Sequence, residues 1–263
     1  MSLRFKQGVA ASMFVAAGLA HASVVTIPAG EPYYGWPYDG AEIGGAEAWS
    51  LSADLLGALD TAKTSIVPYG AAATTVFKDS DGFYTQASTA MPITSVTIDS
   101  QTNGPVSVAT TGGITLTTPA LKKVSSGGSL TVTDLNFDLA NKKVYATLIG
   151  GNGVGTLNNY HLGDFATIVG PAWTTGYDSR CGVYNDCAYM TPGLTLYGLS
   201  LTADGFNQVS QALGLLNLGR SALNGVTDFG TITRGVVPEP STPALMGLGL
   251  AGLLISKRRR PGR

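Results

Sequence analysis

The sequence predicts a mainly β protein: an antiparallel, sandwich-like domain with about two packed helices, flanked by an N-terminal signal peptide and a C-terminal hydrophobic helix. Three observations carry that prediction. Short runs rich in Val, Ile, Thr, Phe and Tyr recur through the middle of the chain, punctuated by Gly, Asn and Asp clusters that read as turns. Charged residues make up only 13% of the 263 positions and glycine supplies 35 of them, a profile of turn-rich sheet. Both ends carry an apolar stretch beside basic residues, which sets them apart from the middle.

The N-terminal end, residues 1–22, reads as a signal peptide. Arg4 and Lys6 form the positive region, Gly8 to Ala20 is apolar and uncharged, and Ala20-His21-Ala22 places small residues where a signal peptidase needs them. Cleavage is expected at Ala22/Ser23. The apolar stretch is too short to serve as a stable span, since crossing a bilayer takes about 20 residues.

At the other end, Val237-Pro238-Glu239-Pro240-Ser241 is a stiff extended element, because each proline fixes its own φ and turns its predecessor away from helix. An apolar stretch rich in Leu and Gly runs from Ala244 to Ile255, and Lys257-Arg258-Arg259-Arg260 follows it closely. Basic residues at the end of an apolar segment hold it on the cytoplasmic side, so the chain between the two ends lies beyond the inner membrane. This tail resembles the PEP-CTERM sorting signal over residues 237–263. The resemblance implies cleavage near Pro238-Glu239-Pro240 by an exosortase, retention through Lys257, Arg258, Arg259 and Arg260, and transient insertion of the helix in the inner membrane. It also implies delivery to the cell surface or extracellular matrix of a Gram-negative bacterium, in company with exopolysaccharide. Signal peptidase and exosortase are then the processing partners. Competing signals fit less well. No Leu-Pro-x-Thr-Gly occurs, no cysteine follows the N-terminal cleavage site, and a GPI signal would not end in arginines.

Between the signals, residues 23–236 form the mature domain, which holds nine Lys and Arg against sixteen Asp and Glu, a net charge of −7 where the whole chain has −1. An acidic surface excludes nucleic acid, whose binding needs clustered cations. The domain contains the only cysteines, Cys181 and Cys187. Export to an oxidising compartment and the turn residues Gly182, Asn185 and Asp186 between them predict a small-loop disulfide.

Along this domain a first strand is expected at Val24–Ile27, followed by the aromatic loop Tyr33, Tyr34, Trp36 and Tyr38, whose rings are candidates for glycan stacking. Leu51, Leu55, Leu56 and Leu59 predict a helix within 46–61, capped by Ser50 or Ser52. Strands follow at 73–77, 82–86, 93–98, 106–109 and 114–117. The runs 129–139 and 142–149 read as a hairpin, and an alternation that changes phase predicts a bulge near Asp134. Residues 150–155 read as a glycine loop, 194–201 as a strand, 205–216 as a helix capped by Asp204, and 226–233 as holding the last strand.

Little in this domain signals chemistry. His161 is its single histidine, expected in a polar loop, with Asp164 close in sequence. No Gly-x-Ser-x-Gly elbow occurs. Asp79 and Asp81 open like a calcium loop, yet no closing Glu follows and Asp-Gly is an ordinary turn. No cofactor is implied. The reading is an exported surface or matrix protein without enzymatic activity. The alternatives are a secreted carbohydrate-active enzyme using Asp carboxylates and a glycan-binding or small-ligand module.

Overall fold

The computed structural model describes residues 24–34, 40–177 and 188–235. The fold is mainly antiparallel β, as the sequence predicts. In chain order it opens with β1 (Val24–Pro28), β2 (Pro32–Tyr33), β3 (Ala41–Ile43), β4 (Ala46–Ser50) and α1 (Ala53–Thr61). Next come β5 (Ser65–Tyr69), β6 (Ala73–Lys78), β7 (Tyr84–Asp99), β8 (Pro105–Thr110), β9 (Gly113–Leu121), β10 (Ser125–Asp138), β11 (Lys143–Gly150) and β12 (Gly155–Asp164). The last part comprises β13 (Thr167–Val169), β14 (Trp173–Tyr177), β15 (Ala188–Pro192), β16 (Thr195–Tyr197), β17 (Ser200–Leu201), α2 (Ala203–Ala212), α3 (Asn217–Asn224) and β18 (Thr231–Gly235).

The main sheet does not split into two flat layers; it curls until its ends meet. β18, β4, β7, β8, β10, β11 and β12 are hydrogen-bonded in that order. Downstream, β12 and β13 behave as one strand bent at Phe165–Ala166, and β16 and β17 as another bent at Gly198–Leu199. The pairs Gly163↔Leu201, Asp164↔Ser200, Thr167↔Tyr197, Ile168↔Leu196 and Val169↔Thr195 keep a single register across both bends. A bond from Ala166 N to Tyr197 O bridges the gap. Since β16 also pairs with β18 at Leu196↔Ile232, the ladder returns to its start. Closure pairs both sides of the strands on this path, while β1, β5 and β6 branch from it with one partner each and keep an open edge among the described residues.

The interior follows from period-2 alternation. Leu130, Val132, Phe137, Leu148, Ile98, Met91 and Ile232 are all essentially inaccessible and belong to one continuous core. Helix α1 packs on β7, α2 on β10, β11 and β12, and α1 against α3, so the helices cover one end of the barrel. Ser52 is the N-cap of α1, its side chain accepting from Leu55 N. Gly230 lets β18 enter close to β4: its φ is +120°, and a Cβ there would collide with the Ser50 carbonyl oxygen.

Several details differ from the sequence expectation. The region 46–50 is strand, because Ala46, Glu47 and Trp49 are buried between β7 and β18, and helix begins only after the Ser52 cap. The strands expected at 82–86 and 93–98 are one strand, β7, that changes partners from β4 and β6 to β1 and β8 along its length. The expected bulge is present: the β10–β11 register shifts between Thr133 and Asn136, and Asp134 has φ +51°. Thr202 rather than Asp204 caps α2, since its Oγ accepts from Gly205 N. That helix stops at Ala212, before Gly214 at φ +62°. The separate α3 has no side-chain cap to announce it in the sequence.

Candidate functional site

The segment that delivers the chain to its C-terminal tail is β18. All five of its residues pair with β4, from Thr231↔Ser50 to Gly235↔Ala46. Ile232 is buried to 1% exposure, and Trp49 Nε1 donates to Phe229 O at 3.1 Å just upstream. The last described residue of this strand is therefore part of the barrel wall. Residues 237–263, including Val237, Pro238, Glu239, Pro240, Lys257, Arg258, Arg259 and Arg260, lie outside the described residues, as do Ala20 and Ala22.

Beside this exit sits a second, four-stranded sheet of order β14-β15-β3-β2. It joins the barrel through Gly44 N to Met190 O at 3.0 Å and Ile93 N to Gly45 O at 3.0 Å. The β7–β8 turn grips it through one residue. Tyr33 Oη donates to Asn103 Oδ1 at 2.5 Å, and Trp173 Nε1 donates to Asn103 O at 2.6 Å. Of the four aromatics expected to stack on glycans, Tyr33 is thus a buried structural residue, and burial raises its pKa above the ordinary phenol value. Tyr34 is 78% exposed, while Trp36 and Tyr38 lie outside the described residues. Cys181 and Cys187 also lie outside them.

Asp79 is occupied by its own turn. Its Oδ1 accepts from Asp81 N at 3.0 Å and Phe83 N at 2.9 Å, closing the β6–β7 hairpin. Among the described residues no group of three or more His, Cys, Asp or Glu is placed to hold a metal ion. The turn instead walls a polar cleft of about 290 Å³ lined by Asp60, Lys63, Ser65, Lys78, Asp81 and Phe83. Asp60 Oδ2 accepts from Tyr84 N at 3.0 Å, and the Lys78 ammonium sits 4.1 Å from the centroid of the Tyr84 ring. Phe83 is 56% exposed at the rim. Because these residues come from the end of α1 and from the hairpin, no linear motif announces the cleft.

His161 is on β12 and not in a loop. The strand escapes the alternation test because its register shifts twice and Asn159 adopts φ +48°. The imidazole Nε2 bonds Asp164 Oδ1 at 2.9 Å and the ring lies 5.3 Å from that of Tyr145. Among the described residues its side chain hydrogen-bonds to Asp164 alone, so the dyad reaches no hydroxyl nucleophile. The other titratable group of note is Glu47, which shares the interior face of β4 with Trp49 and is 4% exposed. Burial pushes its carboxyl well above the usual range, and the opposing charge of Arg234, its neighbour across β18, pulls the other way.

Comparison with known proteins recognises the tail and nothing else. The PEP-CTERM protein-sorting motif matches residues 236–260, beginning at the residue that follows β18. No curated protein and no solved structure matches the chain. The motif marks an exported protein sorted through an exosortase, and it spans the Pro-Glu-Pro element, the apolar stretch and the basic cluster read from the sequence.

Proposed function

We propose that residues 23–236 are the mature form of a non-enzymatic surface or extracellular-matrix protein, released from its signals at both ends and displayed among exopolysaccharide. The carrying observation is the sorting motif at residues 236–260, joined directly to a closed barrel. A closed ring with a filled, continuous core suits a protein that must persist outside the cell. Mass spectrometry of the protein recovered outside the cell tests this reading: both termini should be missing, with the new start near Ser23. A chain ending in Arg263 in the surface fraction would sink it.

The polar cleft favours one second reading, a glycan-binding module. Ammonium and carboxylate groups beside an exposed ring offer donors, acceptors and a stacking face to a sugar. If so, calorimetry with the exopolysaccharide should show binding that Phe83→Ala weakens about tenfold, corresponding to the loss of one contact of ~1.4 kcal/mol.

A further inference from the structure

We propose that the end of the barrel carrying the four-stranded sheet faces the membrane surface while the precursor is being sorted, with the Tyr34 ring at the headgroup zone. The inference rests on the export reading above and on where the two chain ends leave the barrel. β1 starts at Val24 opposite Asp99, at the tip of the β7–β8 hairpin. β18 runs parallel to β7, because each is antiparallel to β4, and it finishes at Gly235 opposite Ala46, which in turn faces Pro92. Both ends therefore point toward the Asp99 end of β7. The helices occupy the other end: α1 follows Ser50, Ser52 Oγ donates to Asp228 O, and α3 leads into Thr231.

Chain length makes this arrangement consequential. A fully extended residue covers at most about 3.6 Å, so Pro238 lies within roughly 11 Å of Gly235 and Ala244 within roughly 32 Å. Ala20 lies within about 14 Å of Val24 on the same basis. Val24 leaves at the Asp99 tip and Gly235 seven residues lower, level with Pro92, and two short tethers directed the same way turn that end toward the bilayer.

The exposed side chains at this end suit a lipid interface. Tyr34 directly follows Tyr33, whose hydroxyl is fastened to Asn103 in the same hairpin tip, so Tyr34 stands exposed near the N-terminal tether. Tyrosine favours the interfacial zone because one edge of its ring is polar and its faces are not. Glu31 and Glu42 are exposed nearby, which matches a zwitterionic surface better than an anionic one.

The test uses the full chain, with both signals intact, reconstituted into phosphatidylcholine vesicles that carry a headgroup quencher. A fluorescent residue is placed at Tyr34 or at Leu218, which is exposed on α3 at the helical end. Quenching is expected to be several-fold stronger at Tyr34. Equal quenching, or stronger quenching at Leu218, would overturn the proposal. Long Gly/Ser insertions before Val24 and after Gly235 should bring the two labels to the same value, and a difference that survives them counts against the tether argument. Vesicle flotation separates the failures: a chain that does not float with the vesicles defeats the export reading itself, whereas one that floats with the labels reversed defeats this orientation alone.

Discussion

The two ends of the barrel share one core but are fastened to it differently. At the helical end, α1, α2 and α3 bury Leu55, Leu56, Leu59, Val209, Ala212 and Leu223 against the strands. Apolar burial at about 25 cal/mol per Å² is non-directional, so that end is tied by many interchangeable contacts. At the exit end, the four-stranded sheet adds Tyr33, Ile43, Trp173 and Met190 to the same core, and its attachment is completed by a few directional bonds, above all those at Asn103, and by the two-residue parallel pairing of β15 with β3. The difference teaches that the ring and its helices set global stability, while the exit end opens locally at lower cost.

The largest effect expected is therefore in the ring. Phe137 on β10 faces Val108 of β8 and Val144 of β11 and is 1% exposed. Phe137→Ala removes a ring that both neighbouring strands pack against, at a cost of about 4 kcal/mol, and urea unfolding should show one cooperative transition at a lower midpoint. If Phe137→Ala lowers only the protection of β14 and β15 in hydrogen exchange, the division of roles between ring and exit end is wrong.

Next is a slope. Glu47 is buried in the ring beside Met91 and Arg234. Its folded carboxyl titrates above its unfolded value, because burial penalises the charge more than Arg234 restores it. A raised folded pKa means the group's contribution is present below the unfolded value of 4.5 and is lost as pH rises through the folded value. Glu47→Gln removes that loss. The Tm of Glu47→Gln minus that of the parent should thus increase from acid toward neutral pH. A difference that stays flat, or that falls, would show that Arg234 outweighs burial.

What was legible in the sequence divides along similar lines. Phe137, Leu139 and the phase change at Asp134 announce β10 and its bulge because alternation on a half-buried strand is a local property. Leu55, Leu56 and Leu59 announce α1 for the same reason at helical spacing. The tail was fully legible, since a sorting enzyme reads linear sequence. Closure of the ring was not, because it depends on pairing β16 with both β13 and β18, strands of three and five residues whose partners no local rule selects. The polar cleft escaped for a related reason: Lys63 and Phe83 meet only after α1 docks on β7. The Tyr33–Tyr34 pair was half legible, as aromatic loop composition predicts rings near a surface but not which ring turns inward.

That pair also provides the smallest and most local prediction. Tyr33→Phe keeps the buried ring and deletes only the hydroxyl that donates to Asn103 Oδ1. A hydrogen bond of this kind contributes about 1 kcal/mol net, and the deletion acts where the exit end is held by few bonds. Hydrogen exchange should therefore accelerate in β2, β3 and β15 while the global urea midpoint shifts little. If exchange accelerated equally in β10 and β11, the exit end and the ring would be one cooperative unit. The tethers would then pull on the whole barrel rather than on a separately yielding cap. Local acceleration would instead mean that the barrel can stay closed while the segments beside its two exits give way.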